Sequence, residues 1–436
     1  MFSSFLIGAA TSGSGKTTLT LGLLRALARR GLVVQPFKCG PDYIDPMFHR
    51  LATSAASVSC AESVNLDLWM GSEEHVRELF ARYGADADVC VTEGVMGLFD
   101  GWRTSEGSSA EVARVLGLPI VLVVDARATG YSVAPLLFGF KNFRPEATIA
   151  GVIFNRVGSP SHYAHLAEAA RDAGIETLGW LPRCDDFSAP SRYLGLSIEG
   201  IERFSSTIDA IADAVERHVD IERLLELTQQ PRPPKATKCD KGDTLQIAVA
   251  RDEAFNFTYL ANLDRLGELG RLTFFSPLSD AAPPEGADLI YLPGGYPELF
   301  ADRLSDNLTM REAIRDYAER GGRILAECGG MLYLCRSLDG RPMCGVLPLE
   351  GSMEGAKLHL GYREVHYGGL RLRGHEFHYS HTTGEADSAG GMASVARQFT
   401  ARGAEVATPL YRHKNVIAGY THLYWAESGG TLEWFD

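Results

Sequence analysis

Short apolar runs rich in β-branched residues alternate with amphipathic segments along the first half of the chain. In each run the apolar character is almost continuous, as expected for strands that are covered on both faces of a sheet. The runs are Phe5–Ala10, Val33–Lys38, Asp88–Val95, Ile120–Ala126, Ile149–Asn155 and Thr177–Leu181. The segment Thr17–Arg30 places leucines on one side and is followed by Gly31, which is typical of a helix and its stop. The alternation predicts an α/β fold with a mainly parallel sheet and helices on both faces.

This pattern stops near residue 228 and starts again near residue 244. Residues 228–243 include three prolines and lack periodic apolar positions, which predicts a stiff, exposed linker. Further strand-like runs are found at Leu245–Ala250, Leu272–Phe275, Leu289–Leu292, Arg323–Glu327 and Val416–Tyr420. We therefore expect two α/β domains, residues 1–227 and 244–436, which suits a 436-residue chain at about 150 residues per domain.

Composition and charge exclude several classes of protein. The apolar fraction of 45% and the charged fraction of 22% are ordinary for a globular chain. A net charge of −13 argues against a nucleic acid or a membrane surface as partner. The N-terminus lacks the features of a secretory signal, and the eight cysteines are scattered without zinc-binding spacing. We expect a cytoplasmic protein with mostly inert thiols.

A glycine-rich segment, Gly8–Thr17, lies between the first predicted strand and the first predicted helix. This is the setting of a phosphate-binding loop, in which backbone N–H groups and the helix N-terminus face phosphate oxygens. Lys16 would contact the β/γ-phosphates of ATP, and the Thr17 hydroxyl would bind Mg²⁺. The loop is a relative of the Walker motif, because Ala10 stands where the strict spacing requires a glycine. The nucleotide-binding residues are expected to be Gly13, Ser14, Gly15, Lys16, Thr17 and Thr18.

Two predicted strands end in a carboxylate, Glu93 and Asp125. Because ligands gather at the carboxyl ends of parallel strands, either side chain could face the phosphates. We favour Glu93, since Gly94, Gly97 and Asp100 follow it in a loop suited to close approach of a ligand. For Asp125, a capping role is the alternative.

Asp42 and Asp45 lie in the segment Lys38–Pro46, directly after the second predicted strand. Fixed carboxylates three positions apart can hold a metal or orient a ligand, whereas a proline-bounded turn with Asx-type hydrogen bonds is the alternative. Because Mg²⁺ prefers oxygen ligands, Thr17, Asp42 and Glu93 form the expected metal site.

Three basic residues lie close to this segment, Lys38, His49 and Arg50. They could present positive charge to an anionic ligand, but solubilising surface positions are the preferred interpretation. At the end of another predicted strand, Asn155 carries an amide that could pair with the adenine edge.

Cys328 is predicted at a sharp turn between a strand and a helix, flanked by Ala326, Gly329 and Gly330. This resembles a nucleophile elbow with sulfur in place of oxygen, and the helix N-terminus is expected to lower the thiol pKa. The base that a thiol nucleophile needs could be His422, His375 or His378. The turn at Gly294 and Gly295 could stabilise an oxyanion through a backbone N–H, or it could be a plain turn.

Together these residues resemble the glutamine-dependent a,c-diamide synthases of the corrin pathway, over essentially the whole chain. The N-terminal half looks like the dethiobiotin synthetase type of P-loop domain, and the C-terminal half looks like a class I glutamine amidotransferase. The motifs that carry the resemblance are Ala10–Thr18, Lys38–Pro46, Thr92–Asp100, Leu292–Glu298, Ala326–Met331, Gly374–Ser380 and Gly419–Tyr424.

The resemblance implies roles for individual residues. Cys328 corresponds to the glutaminase nucleophile, His422 to its base and Gly295 to the oxyanion region. Amidotransferases with a full triad carry Glu two positions after this histidine, where Tyr424 stands here. In the first half, four carboxylates correspond to the acidic residues around the metal, the γ-phosphate and the substrate carboxylate: Asp42, Asp45, Glu93 and Asp100. Tyr43 and Ile44 fall in the segment that positions the substrate. Asn155 corresponds to the residue that recognises adenine.

The implied reaction is the ATP-dependent amidation of the a and c acetate groups of hydrogenobyrinic acid, with ammonia from L-glutamine. Cys328 would form a thioester and release ammonia, and ATP would convert each carboxylate to an acyl phosphate. The same reaction on cobyrinic acid or on another tetrapyrrole carboxylate is the alternative, and a homodimer is compatible with the family.

Two further interpretations give fewer residues a role. A P-loop switch or partitioning ATPase accounts for residues 1–230 but not for Cys328. An inactive glutaminase domain kept as a scaffold conflicts with the presence of both Cys328 and His422.

Overall fold

The computed structural model describes residues 2–54, 61–184, 187, 204–235, 244–384, 392–427 and 433–435. The chain forms two compact units, Met1–Lys238 and Cys239–Asp436. The predicted α/β fold with a parallel sheet in each half is confirmed.

The first unit is built on a parallel sheet that, in the described ranges, has seven strands in the order β3-β2-β4-β1-β5-β6-β7. Its strands are β1 (Ser3–Ala9), β2 (Val34–Cys39), β3 (Val64–Leu66), β4 (Val89–Glu93), β5 (Ile120–Asp125), β6 (Ile149–Val157) and β7 (Thr177–Pro182). Every residue of β1 is buried, which explains the continuous apolar run at this position. The sequence missed β3, because three residues are too few to show a period.

Helices connect these strands and cover the sheet. They are α1 (Lys16–Arg29), α2 (Ile44–Thr53), α3 (Glu73–Gly84), α4 (Ser109–Leu116), α5 (Val133–Phe143), α6 (Pro160–Asp172), α7 (Ser205–His218) and α8 (Ile221–Leu227). Leu19, Leu23 and Leu27 on α1 join a core with Ile208 and Val215 of α7. This packing holds the N-terminal end of α1 beside the carboxyl ends of β1 and β4.

The start of the predicted linker is tied to the first unit. Thr228 is buried and accepts a backbone hydrogen bond from Ser4, and Gln229 pairs with Ser3 in an antiparallel bridge. The Arg232 guanidinium donates to the carbonyl oxygen of Ala85 at 2.9 Å. Residues 236–243 of the predicted linker lie outside the described residues. The expectation of a wholly exposed linker is therefore wrong at Thr228.

The second unit has a central sheet with the order β20-β21-β11-β10-β8-β9, parallel except for β20. Its strands are β8 (Leu245–Ala250), β9 (Gly270–Phe275), β10 (Leu289–Leu292), β11 (Arg323–Glu327), β20 (Leu410–His413) and β21 (Val416–Gly419). The helices of this unit are α9 (Leu260–Leu269), α10 (Ala301–Asp306), α11 (Leu308–Glu319) and α12 (Gly329–Leu334).

Further strands in this unit form two smaller sheets that the sequence did not predict. One has the order β13-β12-β14-β17 and the other, which is antiparallel, the order β19-β18-β15-β16-β22. They comprise β12 (Ser337–Leu338), β13 (Arg341–Pro342), β14 (Glu350–Ser352), β15 (His359–Tyr367), β16 (Leu370–His378), β17 (His381–Thr383), β18 (Arg397–Thr400), β19 (Glu405–Val406) and β22 (His422–Tyr424).

One buried cluster joins the antiparallel sheet to the central sheet. It includes Val365, Leu372 and Trp425 from one side and Ile247 and Leu289 from the other. This contact brings β16 and β22 next to the carboxyl end of β11. In the part of the chain that the structure describes, no helix combines the length and apolar character needed to cross a bilayer.

Candidate active sites

The glycine-rich loop adopts the conformation that its sequence predicts. Gly13 and Gly15 have φ values of 77° and 95°, in the left-handed region that glycine favours. A Cβ atom at Gly15 would lie 1.9 Å from Nδ2 of Asn155, so a side chain does not fit there. The loop borders a pocket of about 500 Å³ whose wall includes Gly13, Gly15, Lys16, Thr17, Thr18, Glu93 and Asn155.

Asn155 holds this loop in place. Its Nδ2 donates to the carbonyl oxygen of Ser14 at 2.9 Å, and its Oδ1 accepts from the backbone N–H of Arg156. The Arg156 guanidinium, which the sequence analysis did not single out, donates to Gly13 O at 2.8 Å and to Asp125 Oδ2 at 2.6 Å. Asp125 is therefore part of an ion pair that braces the loop.

Glu93 is the carboxylate that meets the loop. Its Oε1 accepts a hydrogen bond from the Thr17 hydroxyl at 2.7 Å, and its Oε2 lies 2.7 Å from Nε2 of His49. The other ring nitrogen of His49 lies 3.0 Å from the Ser63 hydroxyl. Glu93 and His49 are both fully buried. The preference for Glu93 over Asp125 agrees with this geometry.

Lys38 connects Glu93 to the acidic pair after β2. Its Nζ donates to Asp45 Oδ2 at 2.5 Å and to Glu93 Oε1 at 3.1 Å, and lies 3.9 Å from Asp42 Oδ2. Only 1% of Lys38 is exposed. The interpretation of Lys38 and His49 as surface positions is wrong, since both are buried among site residues; Arg50 is exposed and pairs with Glu62.

Asp42 has a structural role as well as a contact with Lys38. Its Oδ1 accepts the backbone N–H groups of Ile44 and Asp45 at 2.9 and 3.1 Å, which caps the start of α2. This is the Asx-type arrangement named as the alternative. Tyr43 is buried next to it. Farther along, Asp100 Oδ2 accepts from Gly97 N at 2.9 Å and closes the loop after β4.

The charges of this cluster stabilise one another. Burial acts to lower the pKa of Lys38, but the carboxylates of Asp45, Glu93 and Asp42 outweigh it and raise this pKa above its ordinary value. Burial alone would raise the pKa of Glu93, whereas Lys38 and His49 hold it well below its usual range. Glu93 is therefore ionised and Lys38 is protonated at neutral pH.

The oxygens beside the loop fit a magnesium ion bound together with a nucleotide. Thr17 Oγ1 and Glu93 Oε1 are hard ligands 2.7 Å apart, and Mg²⁺ commonly takes its other ligands from phosphates and water. Within the described ranges, no group of three or more His, Cys, Asp or Glu side chains is arranged to hold a metal by itself. Asp42 faces Lys38.

Cys328 occupies the predicted turn between β11 and α12. Its φ of 47° lies in the left-handed region, and its backbone N–H donates to Gly419 O at 2.7 Å. A Cβ at Gly330 would lie 2.1 Å from Leu292 O, and a Cβ at Gly329 would lie 3.0 Å from Gly295 N. These small residues let the turn that carries Cys328 pack against the Gly294–Gly295 segment, which was predicted as the oxyanion region.

His422 begins β22 and is fully buried. A Cβ at Gly294 would lie 2.2 Å from its Cε1, so the imidazole packs directly on the glycine turn. The His375 ring stacks on it with centroids 5.0 Å apart, and these two residues are paired across β16 and β22. His378, the third histidine considered as a base, stacks instead on Tyr420, at 3.7 Å.

Glu327 is a site residue that the sequence analysis missed. It precedes Cys328, and its two oxygens accept from the Tyr291 hydroxyl at 2.8 Å and from the Leu423 N–H at 3.0 Å. Glu327 therefore links the strand before the nucleophile to the strand that carries His422. Burial raises the pKa of Glu327 to about 8, so it is largely neutral near pH 7. A charged residue at the end of an apolar strand was the available signal.

The two reactive groups of this unit have opposite pKa shifts. Burial, followed by the Glu298 carboxylate, raises the pKa of the Cys328 thiol and outweighs the lowering effect of the Gly329 N–H at the start of α12, so the expectation of a lowered thiol pKa is wrong. The helix has only six residues, and burial outweighs its effect. Burial and the rings of His375 and His378 hold the pKa of His422 well below its ordinary value. The thiol is therefore protonated and the imidazole neutral near pH 7, which are the states that proton transfer from Cys328 to His422 would require.

Comparison with known proteins gives one family match for each half. Residues 5–196 match the CobQ/CobB/MinD/ParA nucleotide binding domain, and residues 246–429 match the CobB/CobQ-like glutamine amidotransferase domain. These matches agree with the phosphate-binding loop in one unit and the cysteine elbow in the other.

Curated relatives match nearly the whole chain. The hydrogenobyrinate a,c-diamide synthase of Brucella abortus biovar 1 (strain 9-941) is 47% identical over 395 residues, 86% of this chain and 88% of the relative. That of Rhodobacter capsulatus is 43% identical, covering 96% of this chain and 97% of its own. The cobyrinate a,c-diamide synthase of Syntrophotalea carbinolica is 40% identical, covering 99% and 97%.

Proposed function

The chain belongs to the family of the hydrogenobyrinate and cobyrinate a,c-diamide synthases, and from this we propose that it amidates the a and c acetate carboxylates of hydrogenobyrinic acid. Glutamine supplies the nitrogen and ATP activates each carboxylate. The observation that carries the proposal is that one chain combines a phosphate-binding loop, whose Thr17 bonds Glu93, with a cysteine elbow at Cys328.

The first unit activates the carboxylate. A carboxylate does not react with ammonia, whereas an acyl phosphate does, so the γ-phosphoryl group of ATP is transferred to the substrate. Lys16 lines the pocket, where its Nζ donates to Met96 O at 2.5 Å, and it is proposed to contact the β- and γ-phosphates. Thr17 and Glu93 would hold a Mg²⁺ ion together with the nucleotide, and that ion would supply charge neutralisation. Asn155 holds the loop through Ser14, and its predicted role in recognising adenine stays part of the proposal.

The acidic segment after β2 is proposed to orient the carboxylate that reacts. Lys38 lies in the pocket wall, where its ammonium offsets part of the negative charge of Asp45, Glu93 and Asp42 beside an anionic substrate. Tyr43 and Ile44 lie between these aspartates and are proposed to contact the macrocycle. Asp100 closes the loop after β4 by accepting from Gly97 N. It is proposed to be one of the acidic residues around the metal, the γ-phosphate and the substrate carboxylate.

The second unit releases ammonia from glutamine. His422 takes the thiol proton as Cys328 attacks the side-chain amide, and the proton then passes to the departing ammonia. The resulting thioester is hydrolysed by water to glutamate. The backbone at Gly294 and Gly295 is proposed to stabilise the oxyanion that forms during both steps.

The relatives favour hydrogenobyrinic acid over cobyrinic acid. The Brucella abortus protein of the first name is 47% identical to this chain, compared with 40% for the Syntrophotalea protein of the second name. Cobyrinic acid is the second candidate substrate, since the cobyrinate relative covers 99% of the chain.

The setting of the reaction is part of the same proposal. We place it in the cytoplasm, which the free thiols of Cys39, Cys90, Cys184, Cys328, Cys335 and Cys344 support. A homodimer is also proposed on the basis of the family, and light scattering of the purified chain tests it.

The Cys328→Ala variant tests the division of labour between the units. It should make no diamide from glutamine and should retain synthesis from ammonium chloride, because only the first unit acts on the macrocycle. Lys16→Ala is the matched variant, which should lose synthesis from either nitrogen source. Loss of ammonia-dependent synthesis in a folded Cys328→Ala protein would contradict the proposal.

A further inference from the structure

The buried ring of His375 contacts two other aromatic side chains, those of His422 and Tyr259. On one side it stacks on His422, with an interplanar angle of 21° and centroids 5.0 Å apart. On the other side its Nδ1 lies 2.8 Å from the Tyr259 hydroxyl, which is also buried. A hydrogen-bonded ring cannot rotate freely about its χ2 angle, so the surface that it presents to His422 is fixed.

Tyr259 in turn contacts Tyr424. This residue stands where the triad amidotransferases carry the glutamate that orients the catalytic histidine. Its ring lies edge-on to Tyr259 with centroids 5.3 Å apart. Tyr424 therefore packs against the residue that fixes His375.

We propose that His375 is a positioning residue, and that its ring, held by the Tyr259 hydroxyl, sets the orientation of the His422 imidazole in a glutaminase that has tyrosine at the position of the triad glutamate. The inference rests on the proposed role of His422 as the base for Cys328. It assigns no proton transfer to His375, which acts through the surface it presents to His422.

Three further groups near His422 make different contacts: Glu327, His378 and Phe257. Glu327 accepts from the N–H of Leu423 and so fixes the backbone of β22 rather than the ring. His378 bonds the carbonyl oxygen of Ser380 at 2.9 Å and stacks on Tyr420 and on His359. Phe257 also lies near the imidazole, with centroids 6.3 Å apart and an interplanar angle of 51°, so it covers an edge. His375 alone among these stacks on the imidazole at a low angle.

The test compares His375→Ala, His375→Phe and Tyr259→Phe in glutamine hydrolysis. We expect His375→Ala to lower kcat about 10- to 100-fold with KM for glutamine nearly unchanged, since misplacing a catalytic group costs rate rather than binding. His375→Phe keeps a flat ring against His422 and should recover most of the loss. Tyr259→Phe should give an intermediate kcat, and it should have no further effect in the His375→Phe background.

The pH profile gives a readout that a purely structural role would not move. His375 and His378 are the titratable side chains that depress the pKa of His422 besides burial, while Gly294 and Phe257, which also face it, carry none. Removing the His375 ring should move the acidic limb of kcat/KM to higher pH. The matched control is His366→Phe on the neighbouring strand β15, where the ring packs on Phe399 and bonds Glu364.

The outcomes separate the inference from the proposed function. Wild-type kcat and pH profile in a folded His375→Ala protein would overturn the role of His375, provided that His422→Ala is inactive with glutamine. Retention of glutamine hydrolysis in His422→Ala would instead overturn the proposed base. Ammonia-dependent synthesis should stay at the wild-type level in the His375 and Tyr259 variants, and its loss in His375→Ala together with a lower melting temperature would show that the residue only stabilises the fold.

Discussion

Lys38 donates to Asp45 over 2.5 Å in the interior of the first unit, where both side chains are buried. The same ammonium contacts Glu93, which bonds the threonine of the phosphate-binding loop. A buried charge network of this kind is costly to disturb, because removing one partner leaves the others in a dry environment without compensation. Lys38 thus links the stability of the unit to the geometry of its site.

The Lys38→Met variant should be strongly destabilised at neutral pH. It removes the ammonium from Asp45 and Glu93, and breaking a buried pair in this way costs about 3–5 kcal/mol of unfolding free energy. In the wild type, the depressed pKa of Glu93 contributes stability above its ordinary value of 4.5, and this contribution is lost as the pH falls through the folded value. The variant's carboxylates gain protons more readily, so its deficit should shrink in acid.

Urea unfolding at about pH 5 and about pH 8 checks this prediction. The control is Lys38→Met combined with Asp45→Leu, which removes one of the stranded carboxylates and should recover part of the lost free energy. An unfolding free energy for Lys38→Met within the error of the wild type at both pH values would contradict the account.

Glu93→Gln should abolish ATP-dependent amidation and leave glutamine hydrolysis intact. The amide keeps the size of the side chain but loses the negative charge that Thr17, Lys38 and a magnesium ion share. Asp125→Asn is the matched variant at the end of the neighbouring strand β5. It loosens the Arg156 brace on the loop and should mainly raise KM for ATP. The measurement is the rate of amidation and of glutamine hydrolysis in both variants. Equal losses of kcat for amidation in Glu93→Gln and Asp125→Asn would refute the preference for Glu93 over Asp125.

Glu327→Gln should fold and retain most of its glutaminase activity, whereas Glu327→Ala should not. Glutamine can still accept from Leu423 and bond Tyr291, while alanine leaves two buried groups without a partner at about 1–3 kcal/mol each. The raised pKa of Glu327 contributes stability below about 4.5 that is lost as the pH rises through about 8.

The difference in unfolding free energy between wild type and Glu327→Gln should therefore grow in favour of the variant as the pH increases across this window. A difference that does not vary with pH would show that Glu327 is ionised throughout.

The pH profile of glutamine hydrolysis should be shifted towards acid. His422 acts in its neutral form, and its depressed pKa keeps it neutral to lower pH than an ordinary histidine. The acidic limb of kcat/KM is thus expected below the ordinary value of 6.5. On the alkaline side, burial keeps Cys328 protonated beyond the ordinary thiol value of 9.0, so activity should not fall before it. An acidic limb at or above 6.5 would contradict a buried, neutral base.

Most strands of the two central sheets, the glycine loop around Lys16 and the turn at Cys328 could be predicted from the sequence. Each is specified by residues that lie within a few positions of one another along the chain. Their physical requirements, continuous apolar character in buried strands and small residues at tight turns, are therefore visible locally.

Long-range contacts were missed for the opposite reason. Lys38 was interpreted as a surface residue although Asp45 lies only seven positions away, because its burial requires β2 to pair between β3 and β4, next to Glu93, which lies 55 positions away in the chain. The hairpin of β15 and β16 alternates poorly between polar and apolar residues, so its pairing with β22 was not evident. The orientation of His422 depends on Tyr259 and His375, which come together only when the antiparallel sheet forms.

The proposed reaction transfers the amide nitrogen of glutamine to two carboxylates of one macrocycle. The most direct measurement is mass spectrometry of hydrogenobyrinic acid after incubation with ATP, Mg²⁺ and glutamine labelled with ¹⁵N at the side-chain amide, with cobyrinic acid in a parallel reaction. We expect hydrogenobyrinic acid to give a product with label in both the a and the c amide, and we expect this product only when ATP is present. Hydrolysis of glutamine with no labelled amide on either macrocycle would contradict it.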